Sequence, residues 1–505
     1  MDASILPIPQ RDRTASAEER SRFRGVFFDV APAMFLGTLD QTIVAATLPA
    51  IAVGLGGFAD IAWIVTAYLL AATAAAPIYG RLGDAFGRRR ALIWALVLFL
   101  AGSVACGFAP TLPWLIGARG MQGLGGGGLM TLAQALIGEA VSPKERGRFQ
   151  GWFGAIFALA STLGPVAGGL LSEHLGWRYT FWVNIPLGFV AAIAALRLNT
   201  SPGAGRFTPD LVGTPLFVGA TLALLLALSL GPTIGWSTPI VIGLAVAALI
   251  GYGLLWPAER HSSDPLIPPD LLSLPVVWRG AICVLLFAAV LFAAIVQLPL
   301  FLQLVLGVSP SLSGLMLIPL TLAQVAISTL TGLRISTTGH PRNPMAIGLS
   351  IAALGFALVA ATLGFGPLAV CAASIIFGVG LGTIMPAAQT MVQWAAGTSR
   401  LGSATAMLSF TRSIGGVMGA AIASAVLLGV MHVLAPSLAT QIAAIPSSTS
   451  PDAARGHLAS PEVQGAFRCV FASLSAIAAV AAAIAWSIPD IDLSAPAQKT
   501  ANAKP

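Results

Sequence analysis

Two ionisable residues sit inside otherwise apolar stretches. Asp40 interrupts Leu39-Asp40-Gln-Thr42-Ile-Val-Ala-Ala-Thr-Leu48-Pro49, and Arg119 interrupts Leu115-Ile-Gly-Ala-Arg119-Gly-Met-Gln122-Gly123-Leu-Gly125-Gly126-Gly127. A charge buried in an apolar span is costly and is a functional candidate by default. If the first span enters near Phe27 and the fourth near Pro113, a rise of about 1.5 Å per residue puts Asp40 roughly 20 Å from the cytoplasmic end and Arg119 about 9 Å from the outer face, at similar depth. The chemistry this suggests is a switchable ion pair. Arg119 nearby favours the carboxylate of Asp40, and separation lets it take a proton. Two plainer readings stay open: Asp40 as an acid that only holds helices together, and Arg119 as a cation snorkelling to the outer interface.

A second cluster of charge lies in Gly80-Arg-Leu-Gly-Asp84-Ala-Phe-Gly87-Arg88-Arg89-Arg90. Glycines there permit a sharp turn, and its acid and arginines can lock or release neighbouring helix ends, or merely enforce topology. Arg412, in Thr411-Arg412-Ser413-Ile-Gly415-Gly416, is another cation inside an apolar stretch, and Asp29 stands near the start of the first one. Other chemistry finds no support. Cys106, Cys283, Cys371 and Cys469 are far apart, the five histidines are scattered, and no metal spacing or disulfide framework assembles. The glycines after Arg119 lack the Lys-Ser/Thr of a phosphate loop. No triad or nucleotide motif appears, so neither an enzyme nor a cofactor or metal is expected.

The elements that must position these groups are membrane spans. Of 505 residues 56% are hydrophobic and 9% charged, mean hydropathy is +0.87, and an ordinary soluble domain carries about 25% charged residues. That excludes a water-soluble globule and predicts an all-α polytopic membrane protein. Spans are expected at about 27–50, 61–82, 91–110, 113–140, 148–172, 180–198, 213–231, 238–257, 277–303, 311–334, 344–363, 368–393, 402–434 and 467–488, fourteen in all. The net charge of +7 is spread over short loops, which argues against a nucleic-acid partner. Of the 26 Lys and Arg, 21 fall on one side of this topology and 3 on the other, with Arg119 and Arg412 inside spans. Basic residues accumulate in cytoplasmic loops, so both termini are expected in the cytoplasm. The expected domains are a polar N-terminal tail (1–26, without the apolar core of a signal peptide), a six-helix bundle (27–198), two additional helices with linkers (199–276), a second six-helix bundle (277–488) with a periplasmic loop at about 435–466, and a cytoplasmic tail (489–505). That loop could hold a short surface helix at 438–445. An internal repeat supports the plan: Gly332-Leu-Arg-Ile-Ser336-Thr-Thr-Gly339-His340 echoes the Gly80 turn with its glycine spacing kept and its acid lost.

These residues resemble the major facilitator superfamily and, within it, the fourteen-helix drug:proton antiporter branch (EmrB/QacA type). Four patches carry the resemblance: the Gly80–Arg90 turn, the Asp40 stretch, the Arg119 stretch, and Gly151, Ala160, Gly164-Pro165-Val-Ala-Gly168-Gly169. The sequence Trp177-Arg178-Tyr-Thr-Phe-Trp182-Val-Asn184-Ile-Pro186-Leu-Gly188 is similar to one characteristic of the branch, and Gln297-Leu-Pro299-Leu-Phe-Leu-Gln303 extends the match. Departures are Ala85 for a commonly basic residue, Ala45 and Thr47 where Asn and Ala are usual, and Ala160 for glycine.

The resemblance implies two six-helix bundles plus two linker helices, working by alternating access. It implies that Asp84 faces the N-terminal end of the helix beginning at Leu401-Gly402-Ser403, that Arg88 pairs with Glu139, and that these contacts stabilise an outward-open state. It assigns proton coupling to Asp40 and Arg119, a role in exchange rather than symport to Gly164, Pro165, Gly168 and Gly169, and cavity positions to Gln134, Gln297, Gln389 and Arg412. For the glutamines a helix-to-helix hydrogen bond is an equal alternative. The implied function is proton-driven export of small amphipathic or lipophilic compounds across the bacterial inner membrane, with small molecules, protons and lipid as partners and the proton gradient as energy source. A dedicated metabolite exporter or importer, a subunit working with a periplasmic adaptor, and a non-transporting sensor are the alternatives. No acid occurs between Asp270 and Asp452, which leans the substrate towards monovalent cations, neutral compounds or anions.

Overall fold

The computed structural model describes residues 10–55, 61, 63–140, 150–198, 210–262, 265, 269–308, 310–397, 400–434 and 461–493. Outside these lie the expected loop carrying Lys144, Arg146 and Arg148, the linker with Arg206, the 435–460 stretch with its proposed surface helix, and the two chain ends. Every regular element among the described residues is helical. In chain order these are α1 (Gln10–Leu55), α2 (Trp63–Phe86), α3 (Arg88–Gly107), α4 (Leu112–Ala140), α5 (Gln150–His174), α6 (Tyr179–Trp182), α7 (Asn184–Arg197), α8 (Gly213–Ile234), α9 (Pro239–His261), α10 (Pro269–Leu272), α11 (Pro275–Leu304), α12 (Pro310–Met316), α13 (Ile318–Thr338), α14 (Arg342–Thr362), α15 (Pro367–Gly382), α16 (Ile384–Ala396), α17 (Leu401–Leu434) and α18 (Pro461–Trp486). Helices thus cover each of the apolar stretches. Among the described residues eleven helical stretches are long and apolar enough to cross a membrane.

Helix α1 starts well before the expected span, because Thr14 to Arg24 is rich in the helix formers Ala, Glu and Arg. Three expected helices are broken, at Val183, Leu317 and Thr383. A proline follows each break, at Pro186, Pro319 and Pro386; it has no N–H to give the carbonyl four residues back, and its ring crowds that carbonyl.

The chain divides into two compact units. One comprises Met1–Arg146, Leu159–Phe207 and Thr398–Thr405; the other comprises Gly147–Ala158, Thr208–Gly397 and Ala406–Pro505. In the first, α3 and α4 meet backbone to backbone: a Cβ on Gly102 would lie 2.5 Å from Cα of Gln122, and one on Gly125 would lie 2.6 Å from the carbonyl oxygen of Ala95. In the second, α14 and α15 repeat the arrangement, with Gly355 against Cα of Phe377 at 2.7 Å and Gly380 against Cα of Ala352 at 2.8 Å. The echoed turns share a glycine at positive φ, +92° at Gly87 and +75° at Gly339, a region that side chains disfavour, although their ψ angles differ, 133° against −2°. The lost acid has a distant substitute in the second unit, where His340 lies 3.5 Å from Asp490 and Gly339 accepts a backbone hydrogen bond from Leu493.

The hairpin α8–α9 belongs to the second unit. Asp210 caps α8 by accepting from the Gly213 N–H at 2.7 Å, and Thr221 and Tyr252 bond across the pair at 2.9 Å. Only 17% of the most apolar part of α9 is buried, with Leu249 and Ile250 turned outward, as expected of a surface in lipid.

The α3–α4 contact gives a matched pair of tests. Gly102→Val drives a side chain into backbone that cannot yield, and is expected to cost about 1–3 kcal/mol or more. Gly117→Ala, at a position with nothing within 4 Å, is expected to be neutral. Thermal unfolding of the purified protein in detergent compares the two.

Candidate functional site

Asp40, Arg119 and the residues around them form one sealed polar island in the first unit. Asp40 is 0% and Arg119 1% exposed. Nη1 of Arg119 lies 2.7 Å from Oδ2 of Asp40. The other carboxylate oxygen, Oδ1, accepts from Nε2 of Gln122 at 2.9 Å and from Nδ2 of Asn184 at 2.8 Å. Ser103 sits behind both amides, its Oγ accepting from Gln122 at 3.2 Å and Asn184 at 3.0 Å while donating to the carbonyl of Phe181 at 2.9 Å. Arg119 also donates to Oε1 of Gln122 at 2.7 Å and to the carbonyl of Ile64 at 3.3 Å. Its guanidinium carbon stands 4.3 Å from the centre of the Tyr68 ring and 5.9 Å from that of Phe181.

Local sequence explains how five helices supply one site. Gln122 follows Arg119 by three residues and therefore shares its helix face. Small residues bring the neighbours close: Gly123 and Gly127 admit the backbone of α2 at Tyr68 and Ala72, and Gly125 admits α3. Asn184 opens α7 immediately after the break at Val183. Apolar side chains, among them Val44, Ile64, Cys106, Leu115 and Phe181, complete the enclosure. Trp177 packs on Gly54 and stacks with Arg178, which donates to the carbonyl of Ala109 at 2.8 Å. Helix α5 reaches α1 next to Asp40: Thr42 Oγ1 donates to the Ala160 carbonyl at 3.1 Å. A Cβ on Gly164 or Gly168 would strike Thr42 or the Ile43 carbonyl, whereas Gly169 faces open space. The side chain of Pro165 lies outside the described residues; α5 runs unbroken through its position.

The second constellation is built around Asp84. Its carboxylate accepts from the backbone N–H of Gly402 at 3.0 Å and of Ser403 at 2.9 Å, and from Ser403 Oγ at 3.1 Å. These are first-turn amides of α17, which have no partner within the helix and carry the positive end of its dipole. Arg88 bridges onward, 2.8 Å from Asp84 and 2.6 Å from Glu139. The glycines set the clearances. A Cβ on Gly402 would meet Asp84 Oδ1 at 2.6 Å and the Gly80 carbonyl closer still, and one on Gly83 would meet Leu132 at 2.7 Å. Gly87, at positive φ, lets α3 start directly after α2.

The structure therefore brings together Asp40 with Arg119, and Gly80, Asp84, Gly87, Arg88 and Glu139 with one another. Gln134 is buried on α4 about 18 Å beyond Gln122, outside the Asp40 network. Gln297 on α11, Gln389 on α16 and Arg412 on α17 belong to the second unit; both glutamines are buried and Arg412 is half-buried. Sequence reasoning missed the roles of Ser103, Gln122 and Asn184. Their signal was faint: Gln122 and Asn184 are amides at set places inside quoted motifs, and Ser103 has no mark beyond its position in an apolar run.

The sequence profile of the Major Facilitator Superfamily matches residues 30–210 and again 211–420. This chain is a member of that superfamily. The facilitator is 35% identical over 399 residues to the multidrug transporter protein MdtP of Bacillus subtilis, covering 78% of this chain and 73% of that one. It is 34% identical over 492 residues to the MFS-type transporter ppz2 of Metarhizium majus, covering 92% and 84%, and 31% identical to the efflux pump FUS6 of Gibberella fujikuroi, covering 86% and 81%. Among solved structures, the proton:xylose symporter XylE has a TM-score of 0.64 at 12% identity, with 96% and 99% of the two chains covered. The human organic anion transporter MFSD10 scores 0.63 at 15%, covering 92% and 99%. The fold is that of the major facilitators, all helical and multi-pass.

Removing one partner of a buried pair strands the other charge, at a cost of about 3–5 kcal/mol, whereas replacing both by apolar groups is often tolerated. Arg119→Met is thus expected to lower the unfolding temperature sharply, and Asp40→Leu/Arg119→Met to regain much of the loss. Thermal unfolding of both single variants and the double variant measures this; a double-variant loss equal to the sum of the two single losses would show that the pair contributes no coupling.

Proposed function

We propose that this facilitator is a proton-coupled antiporter of the fourteen-helix drug:proton branch, exporting small amphipathic or lipophilic compounds from the cytoplasm. The observation that carries the reading is the sealed Asp40–Arg119 pair. Such a charge pair is costly in an apolar span and serves a conformational switch better than it serves stability. The names of the relatives, a multidrug transporter and efflux pumps at 31–35% identity, support the direction and the breadth of substrate.

The geometry is compatible with a mechanism of this kind. Asp40 accepts three hydrogen bonds, and a carboxylate that gains a proton loses part of its accepting capacity. Protonation therefore requires at least one donor to withdraw, and the departure of Arg119 is the step that lowers the cost. Arg119 would keep Gln122, the Ile64 carbonyl and the Tyr68 ring. Asn184 has an amide oxygen with no hydrogen-bond partner among the described residues; turning that amide over would present an acceptor to the protonated acid. Coupling then follows as a difference of affinity between two alternating states. In the same reading Asp84 on the α17 N-terminus is the latch of one state, and Gly164, Pro165, Gly168 and Gly169 let α5 rock against α1. Gln134 in the first unit, and Gln297 and Gln389 in the second, are each unit's candidates for substrate contact, with a helix-to-helix hydrogen bond the equal alternative.

The reading extends to fourteen spans in six-helix bundles at 27–198 and 277–488 with two helices between, both termini in the cytoplasm and the chain in a bacterial inner membrane. It needs no cofactor beyond the proton gradient. A periplasmic adaptor is an additional partner, to be sought by copurification.

Proton release from energised inverted vesicles, on adding lipophilic cations, neutral drugs and acids, tests the proposal. Several unrelated compounds are expected to respond, and Asp40→Asn to abolish every response. A response to one compound alone would indicate a dedicated exporter. Responses that survive Asp40→Asn would move the proton site elsewhere.

A further inference from the structure

Arg412 is the second cation of the membrane-spanning region, and its surroundings differ from those of Arg119 in every respect. It stands eleven residues after the start of α17, about 16 Å along the helix and so close to mid-bilayer. Among the described residues it has no hydrogen bond and no ion pair, and no carboxylate is near enough to influence it. The sequence offers none: no Asp or Glu occurs between Asp270 and Asp452. The residue itself is half-buried rather than sealed off.

The space it faces is internal. From Leu401 to Ala421 no residue of α17 is exposed, yet Ser409 to Ser413 are all half-buried. A helix with no exposed residue over this length, half-buried at Ser409 to Ser413 and again at Val417, Met418 and Ala420, borders a partly open space rather than lipid. The turn at Ser409 to Ser413 is polar, and the hydroxyls of Thr411 and Ser413 are already spent on carbonyls of their own helix, leaving Arg412 as the group able to bind something else. Aromatic surface flanks it. Phe410 packs against Phe217 with ring centres 4.8 Å apart. One turn on, over the same face as Arg412, the ring of Phe292 lies 3.0 Å from where a Cβ of Gly416 would be.

We propose that Arg412 binds the charged end of the transported compound, and that the substrate class of this protein includes amphipathic organic anions, a carboxylate or sulfonate on an aromatic body. An unpaired guanidinium at mid-membrane lacks a counter-ion, and a planar oxyanion matches it through two parallel hydrogen bonds. Phe292 and Phe410 supply apolar surface for the rest of the molecule. The inference rests on the efflux reading for its physiological meaning, but the binding site can be tested separately.

The probes are 2-naphthoate and 2-naphthylmethylammonium, alike in ring and opposite in charge. Calorimetry on the purified full chain in detergent, in a zwitterionic buffer of low salt so that no small anion competes, is expected to show naphthoate bound roughly tenfold or more tightly than the cation. Arg412→Gln should abolish that preference by weakening naphthoate alone, and Arg412→Lys should keep part of it. The lysine variant preserves the test if the glutamine variant does not fold. Naphthoate affinity unchanged in Arg412→Gln, equal loss of both probes, or a wild-type preference for the cation would overturn the proposal. Proton release in inverted vesicles separates the two readings. An Arg412-dependent preference with no compound moving protons would leave the anion site standing and sink the efflux reading. Proton release to cations alone, undiminished in Arg412→Gln, would do the reverse.

Discussion

The burial of Asp40 is the constraint to which the rest of the first unit answers. A carboxylate without solvent must find donors inside the protein, and here it finds an arginine and an amide on α4 and a second amide on α7. Those donors are in turn held: Gln122 and Asn184 share Ser103, and Arg119 leans on Tyr68. The result is a network in which both oxygens of Asp40, both ends of the Gln122 amide and the Ser103 hydroxyl are occupied. Its members come from α1, α3, α4 and α7, with the Tyr68 ring and the Ile64 carbonyl contributed by α2, so the helices cannot shift independently without breaking polar contacts in a dry interior. That is how a site of small chemical complexity can report on a large movement.

Close approach of helices makes the network reachable. In lipid there is little hydrophobic drive between helices, and packing of small residues substitutes for it. The glycines of α4 place the backbones of α2 and α3 in direct contact with it, which shortens the reach required of Arg119 and Gln122. The second unit repeats the glycine contact between α14 and α15 but not the chemistry. By the matching contacts Phe377 takes the place of Gln122, and Ser374, three residues before it, takes that of Arg119. Its interior there is filled by the stacked rings of Phe356 and Phe377, 4.4 Å apart. One scaffold was thus kept twice, and the ionisable site occurs once.

The two turns after the second helix of each half differ in the same sense. Both keep a glycine at positive φ because the backbone demands it. Only the first keeps an acid, and that acid is satisfied by the unpaired amides at the start of α17. A carboxylate on a helix N-terminus is a contact that holds firmly while aligned and falls away within a turn's displacement. It is suited to a latch, and Arg88 with Glu139 keeps its charge balanced from the other side.

Much of this was legible in the sequence. Apolar stretches of the length of a bilayer, punctuated by Gly, Pro and charge, specify where helices run, because backbone in lipid must satisfy its own hydrogen bonds. Asp40, Arg119 and Asp84 announced themselves as charges where charge is costly, and resemblance pointed to their partners. What the sequence left unmarked was the company those charges keep. Ser103 and Asn184 are uncharged residues 81 positions apart, and nothing in their local pattern distinguishes a hydrogen-bonding role from ordinary packing. The extension of α1 and the breaks at Val183, Leu317 and Thr383 were local matters, decided by helix propensity and by proline, and were present in the sequence to be read. The convergence of five helices on one carboxylate was not, since it depends on which faces meet, and that is settled by the clearance of glycines against distant backbone. Composition and spacing determined that this chain is a bundle of membrane helices with a few costly charges; only the tertiary structure decided that Asp40 is fully paired while Arg412 has no partner among the described residues, because pairing is a property of distances between segments far apart in sequence.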